Sequence, residues 1–168
     1  MKKLFIALIT IVSVISVNAQ ENVKKEKDLA VVVDSLTAKL DKLQNDYDYL
    51  WCEYKLNDLN HNLTIEANNL NIRNNELKIR IYHERFNYDL YSVMKQNYNS
   101  SVDKYNTTKE YALSLKRRVS LMMLTSNFTE NEMSVLKGGM NVIDHALKAV
   151  EGALDLYGLY LDEYKKKW

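Results

Sequence analysis

Three histidines, His61, His83 and His145, and one cysteine, Cys52, are the side chains here best suited to binding a transition metal or to base and nucleophile work. Their spacing assembles no such site. A di-metal centre in a helical bundle takes Glu-x-x-His from two helices and a matching Glu from each of the others. The nearest approach is Asp58-x-x-His61. No His-x-x-x-His pair or Cys/His cluster has the spacing of a zinc site. Asp144 and His145 are adjacent, and adjacent residues of a helix do not face each other. A Gly-rich phosphate loop and a Gly-x-Ser-x-Gly elbow are both missing. The expectation is a protein without catalytic residues, cofactor or metal, hence not an enzyme. Cys52 reads as a small buried hydrophobe, with an interchain disulfide or a reactive thiol as the alternative.

The elements that would position any site are set by what the chain lacks. Its 168 residues include four Gly and no Pro, against an ordinary usage of about 7% and 5%. All four Gly lie at or after Gly138. Sandwiches, barrels and doubly wound α/β folds need many turns, and turns lean on these two residues. With 46% hydrophobic and 27% charged residues, the chain is neither disordered nor a disulfide framework. Long helices remain.

The first nineteen residues read as a cleaved signal peptide. Met1-Lys2-Lys3 is a positive start, Leu4 to Val17 is an apolar run, and Val17-Asn18-Ala19 places permitted residues before a cut at Gln20. An apolar run of about 14 residues is short for a bilayer that needs about 20. The double Lys, the short run and the Ala-Gln junction resemble bacterial export signals. Without the two leader lysines the chain carries 21 Lys+Arg against 22 Asp+Glu. Near-neutrality argues against a nucleic-acid partner, and no transmembrane segment is expected after cleavage. Residues 20–25 read as disordered.

From there the apolar residues repeat by heptads. Leu29, Val33, Leu36, Leu40, Leu43, Tyr47, Leu50 and Tyr54 follow at steps of 4 and 3, the seam of a helix packed along its length on another. The pattern loses phase across Asn57–Asn62, which predicts a turn there or a register shift inside one very long helix. Leu63, Leu70 and Leu77 then mark one stripe, and Ile65, Ile72, Ile79, Phe86 and Val93 another on roughly the opposite side. Asn97-Tyr98-Asn99-Ser100-Ser101 reads as a turn with a Ser N-cap. Thr129 with Glu132 matches a capping box. The last segment keeps its seam from Met133 to Trp168, and Gly139, Ala146 and Ala153 form a row of small residues beside it.

The Tyr count, 12 against three Phe and two Trp, allows an aromatic contact surface or an ordinary bundle seam. Candidate partner-contact residues are Tyr49, Trp51, Tyr91, Tyr98 and Tyr105. Lys165, Lys166, Lys167 and Trp168 are candidates for weak anchoring to a membrane surface, against the ordinary role of cations at a helix C-terminus. The expected fold is an all-α, elongated antiparallel bundle of three or four long helices with coiled-coil-like heptad packing. One domain should cover residues 20–168, with helices at about 26–56, 62–97, 101–125 and 130–166. The expected function is that of an exported protein of a bacterial cell envelope, periplasmic or extracellular, working through helix–helix contacts with its own kind or an envelope protein. The alternative is a periplasmic chaperone-like or ligand-binding module with a Tyr-lined groove.

Overall fold

The computed structural model describes residues 23–168, with side chains from Leu29 onward, and among them the only regular element is the α-helix. Helix α1 runs Val23–His83, α2 Tyr88–Thr125 and α3 Glu130–Lys165. The leader reading of residues 1–19 lies outside the described residues. Of the stretch expected to be disordered, residues 23–25 already belong to α1. The chain divides into two units, residues 1–44 and 45–168. In the first, Leu36, Leu40 and Leu43 of the heptad seam are exposed, and Leu29 and Val33 are half-buried.

In the second unit the three helices pack around a continuous apolar core. α1 contributes Cys52, Leu56, Leu59, Leu63, Leu70 and Leu77. α2 adds Tyr91, Tyr105, Ala112, Leu115 and Val119, and α3 adds Leu136, Ile143, Val150, Tyr157, Leu161 and Tyr164. Each fully buried Leu or Ile stabilises the fold by roughly 1.5–3 kcal/mol relative to exposure. Polar pairs tie the helices at their edges. Glu66 pairs with Lys104, and the Arg73 guanidinium donates to Ser101 Oγ at 3.1 Å. Lys116 Nζ lies 2.5 Å from Asp144 Oδ2. Along these pairs α2 runs opposite to α1, and α3 runs opposite to α2. The buried Asn74 spans the remaining pair, its Nδ2 donating to the Ala153 carbonyl at 2.9 Å.

Two expected turns are absent. Residues 57–62 stay helical because Leu56, Leu59 and Leu63 continue one buried row, and core packing outweighs the weak preferences of Asn and Asp. Thr64 Oγ1 donates back to the Asn60 carbonyl, a bond compatible with continued helix. Residues 97–101 likewise lie inside α2, where Ser101 is buried and held by Arg73 rather than capping a new helix. The break falls instead at 84–87. Asn87 is the N-cap there, its side chain accepting from Leu90 N–H at 3.0 Å, and Asp89 places negative charge in the first turn. The loop before α3 falls where expected. Thr129 accepts from Glu132 N–H, and Glu132 accepts from Thr129 N–H at 2.7 Å, which completes the capping box. Those bonds hold the Glu132 carboxyl below its ordinary pKa.

The end of α3 closes over the 84–87 loop. Tyr164, wholly buried, accepts from Asn87 N–H at 3.1 Å and donates to the Arg85 carbonyl at 3.3 Å. Phe86 sits among Tyr91, Tyr164 and Trp168, stacked on the last at 5.6 Å between ring centres. Neither break in the described chain contains a glycine or needs a positive φ.

Candidate interaction surface

Seven apolar side chains on α1 within the second unit are between 44% and 72% exposed: Tyr47, Leu50, Tyr54, Ile65, Ile72, Ile79 and Tyr82. At about 100° per residue, the first six lie within about 40° of one direction. The buried row Cys52, Leu56, Leu59, Leu63, Leu70 and Leu77 lies diametrically opposite. α1 therefore has two apolar faces, one filled by α2 and α3 and one bare. The bare face keeps heptad steps to Tyr54, then advances eleven residues to Ile65 before resuming steps of seven. Eleven residues are three turns at about 3.67 per turn, an inserted four-residue stutter rather than a break. Residues 57–62 lie inside one continuous helix.

From Ile65 onward the face has a regular composition. Ile65, Asn68, Ile72, Asn75, Ile79 and Tyr82 alternate steps of 3 and 4, with Asn68 and Asn75 exposed between the isoleucines. Glu76 and Lys78 lie near its edges. Beside Ile65 a groove of about 540 Å³ opens between α1 and α2, lined by Leu59, Leu63, Asn69, Thr108, Tyr105 and Tyr111 among others.

Of the residues expected to contact a partner, two are buried and three are half-buried with partners inside the fold. Tyr91 and Tyr105 are buried. Tyr49 meets Phe128 edge-on at 6.1 Å, and burial, with Glu53 and Glu132 nearby, pushes its hydroxyl pKa up. The Arg118 guanidinium lies 4.0 Å over the Trp51 ring. Tyr98 packs edge-on against Tyr157 at 5.7 Å, its hydroxyl close over Gly158. The physical reason is one of sign. Periodicity identifies a face, and with two apolar stripes on one helix it leaves open which of them α2 and α3 fill. Tyr47 and Tyr54, assigned to a packed seam by spacing, are exposed, whereas Tyr49 and Trp51, set off that seam, are packed. Ile65, Ile72 and Ile79 were visible as a stripe, and only packing separates them from Leu63, Leu70 and Leu77.

Of the four terminal candidates, two have internal partners. Lys167 Nζ donates to the Glu84 carbonyl at 2.7 Å, and Trp168, although 80% exposed, stacks on Phe86. Lys165 ends α3 and Lys166 is its C-cap, and both place positive charge at the helix C-terminus. Ser-x-x-Lys spacing occurs three times, at Ser92–Lys95, Ser101–Lys104 and Ser134–Lys137; only Lys104 lines the groove, and it is paired with Glu66 while Ser101 is held by Arg73.

Cys52 is buried with its Sγ 3.6 Å from Met122 Sδ, and burial, reinforced by Asp48 and opposed by Arg118, pushes its thiol up to about 11. Among the described residues no three His, Cys, Asp or Glu converge as a metal site. Within the same residues no helix is long and apolar enough to cross a membrane. No protein-family model, curated protein or solved structure matches this chain.

Proposed function

We propose that this is an exported, non-enzymatic helical protein of a bacterial cell envelope, and that it acts by presenting the bare face of α1 to a partner helix. The observation that carries the reading is the exposed row Ile65, Ile72 and Ile79 at sevenfold spacing, continued by Tyr54, Leu50 and Tyr47. A row of exposed apolar side chains along one helix face is a common mark of an interface. Export rests on the leader and cleavage pattern of residues 1–19, so the mature N-terminus should be Gln20.

A photo-crosslinking residue at Ile72, introduced in the native cell, should form protein adducts, and the same residue at the polar, exposed Lys148 should not. Equal labelling from both positions, or none from Ile72, would sink the proposal.

The α1–α2 groove favours a second reading, a binding module for an apolar ligand or an unfolded segment, because Tyr105 and Tyr111 both line it. Tyr111→Ala should then weaken binding of an unfolded outer-membrane polypeptide about tenfold, about 1.4 kcal/mol, with the fold intact. Unchanged binding removes this reading.

A further inference from the structure

We infer that the bare face of α1 is occupied by a second copy of the same helix, parallel and in register, with Asn68 and Asn75 setting the register. The inference rests on the reading of that face as a contact surface and names its occupant.

Chemistry at the seam selects among occupants. Ile65, Ile72 and Ile79 alternate with Asn68 and Asn75, so any covering helix must meet amides and aliphatic groups in turn. A uniformly apolar partner would bury two side-chain amides, each a carbonyl and an NH2, without partners, each group costing on the order of 1–3 kcal/mol. An antiparallel copy centred on this segment sets Ile72 against Asn75 and Ile79 against Asn68, leaving the same defect. A parallel copy in register sets each Ile on its counterpart and each Asn on its counterpart. The amides then hydrogen-bond to each other, and the aliphatic layers close dry. The flanks agree. In this register Asn71 of one copy lies beside Glu76 of the other, and between Ile65 and Tyr82 no carboxylate meets a carboxylate.

The area is sufficient. A whole aromatic side chain offers about 150–250 Å² and an aliphatic one somewhat less, so the seven exposed side chains from Tyr47 to Tyr82 offer on the order of 800 Å² per copy. A stable interface of ordinary size takes about 800 Å² from each partner. The opposite face of α1 already holds α2 and α3, so pairing through this one leaves each core intact.

Cysteine crosslinking and mass measurement test the inference on the purified protein carrying Cys52→Ala, which removes the native thiol. Ile65→Cys and Tyr82→Cys should each crosslink to its own counterpart under mild oxidation, and light scattering should give a dimer. Ile72→Asp should weaken self-association at least about 100-fold with helical content unchanged. Replacing both Asn68 and Asn75 by Ile puts isoleucine in both rows of the seam, so the dimer should give way to trimers or tetramers. Crosslinks formed only between Ile65→Cys and Tyr82→Cys would overturn the parallel register. A double Asn variant that stays strictly dimeric would overturn the role of the asparagines. A protein monomeric with or without Ile72→Asp would overturn the second copy. In that last case, adducts from Ile72 to a different envelope protein in the cell leave the contact-surface reading standing, and their absence removes it too.

Discussion

Cys52 shows how much one side chain's surroundings decide about its chemistry. A lone cysteine in a protein of the proposed exported kind invites an interchain disulfide. Here the thiol faces Met122 and the apolar row of α1, is fully buried, and is held as the neutral form by desolvation first and by Asp48 second. The sign of the linkage follows. A thiol whose folded pKa of about 11 exceeds its unfolded value lends stability below that unfolded value, about 8.5, and loses it as pH rises toward 11. Alkylation of the native protein at pH 8 should therefore be slow and should become fast when urea unfolds the chain. Denaturant midpoints should be level from pH 7 to 8 and fall between pH 9 and 11. Rapid native labelling at pH 8 would show that the site is open. Asn74 makes the same point for a polar group: its Nδ2 bonds Ala153, its Oδ1 has no protein partner, and the residue fixes how α1 sits along α3. Nothing in its sequence neighbourhood marks it, since Asn68, Asn69, Asn71, Asn74 and Asn75 look alike until packing puts Asn74 alone on the buried side.

At the scale of the helix, glycine tests which faces are in use. A Cβ added to Gly138 or Gly152 meets nothing within 4 Å, whereas at Gly139 it comes within 3.1 Å of Leu56 Cδ1. Gly138→Ala and Gly152→Ala should each stabilise the protein by about 0.5–1 kcal/mol, because alanine is the better helix former and the space is free. Gly139→Ala must displace Leu56 and should gain less or lose stability. Urea midpoints of the three variants check the order, and equal gains at all three positions would mean that α1 and α3 are not packed at Leu56. The helix scale is also where the sequence was most and least legible. Thr129 and Glu132 announced the start of α3 because a capping box is a local device whose bonds lie within four residues. Asn87 performs the same task at α2 with no glutamate three residues on, and the Asn and Ser of residues 97–101 outnumbered it as a signal. Those residues stay helical because Tyr98 and Ser101 have partners on α3 and α1. Turn chemistry is local, whereas the packing that overrides it comes from residues tens of positions away. The surroundings of the aromatic candidates were hidden for a related reason: Tyr49, Trp51 and Tyr98 find internal partners in Phe128, Arg118 and Tyr157, each far along the chain.

At the scale of the whole molecule, the charge balance decides what kind of association the bare face can support. With 23 Lys+Arg against 22 Asp+Glu, the chain has no net field to steer a charged partner over distance. The face itself is built of Tyr, Leu and Ile with Asn between the isoleucines and exposed His61 in the gap before Ile65, and Glu76 and Lys78 near its edges are of opposite sign. Its attraction is therefore hydrophobic burial plus amide pairing, and both are short-ranged. Raising sodium chloride from about 50 to about 500 mM, which shortens the screening length from roughly 14 to 4 Å, should change the dimer dissociation constant by less than about threefold. Sulfate at equal ionic strength should tighten association, because it is excluded from apolar surface and favours burial. Calorimetry should return a negative heat-capacity change, the signature of apolar burial. A pairing held by ion pairs would weaken steeply over the same salt range and gain nothing specific from sulfate. Sedimentation equilibrium in the two salts separates the cases, and a dissociation constant that rises tenfold with sodium chloride would exclude the Ile–Asn seam as the source of binding energy.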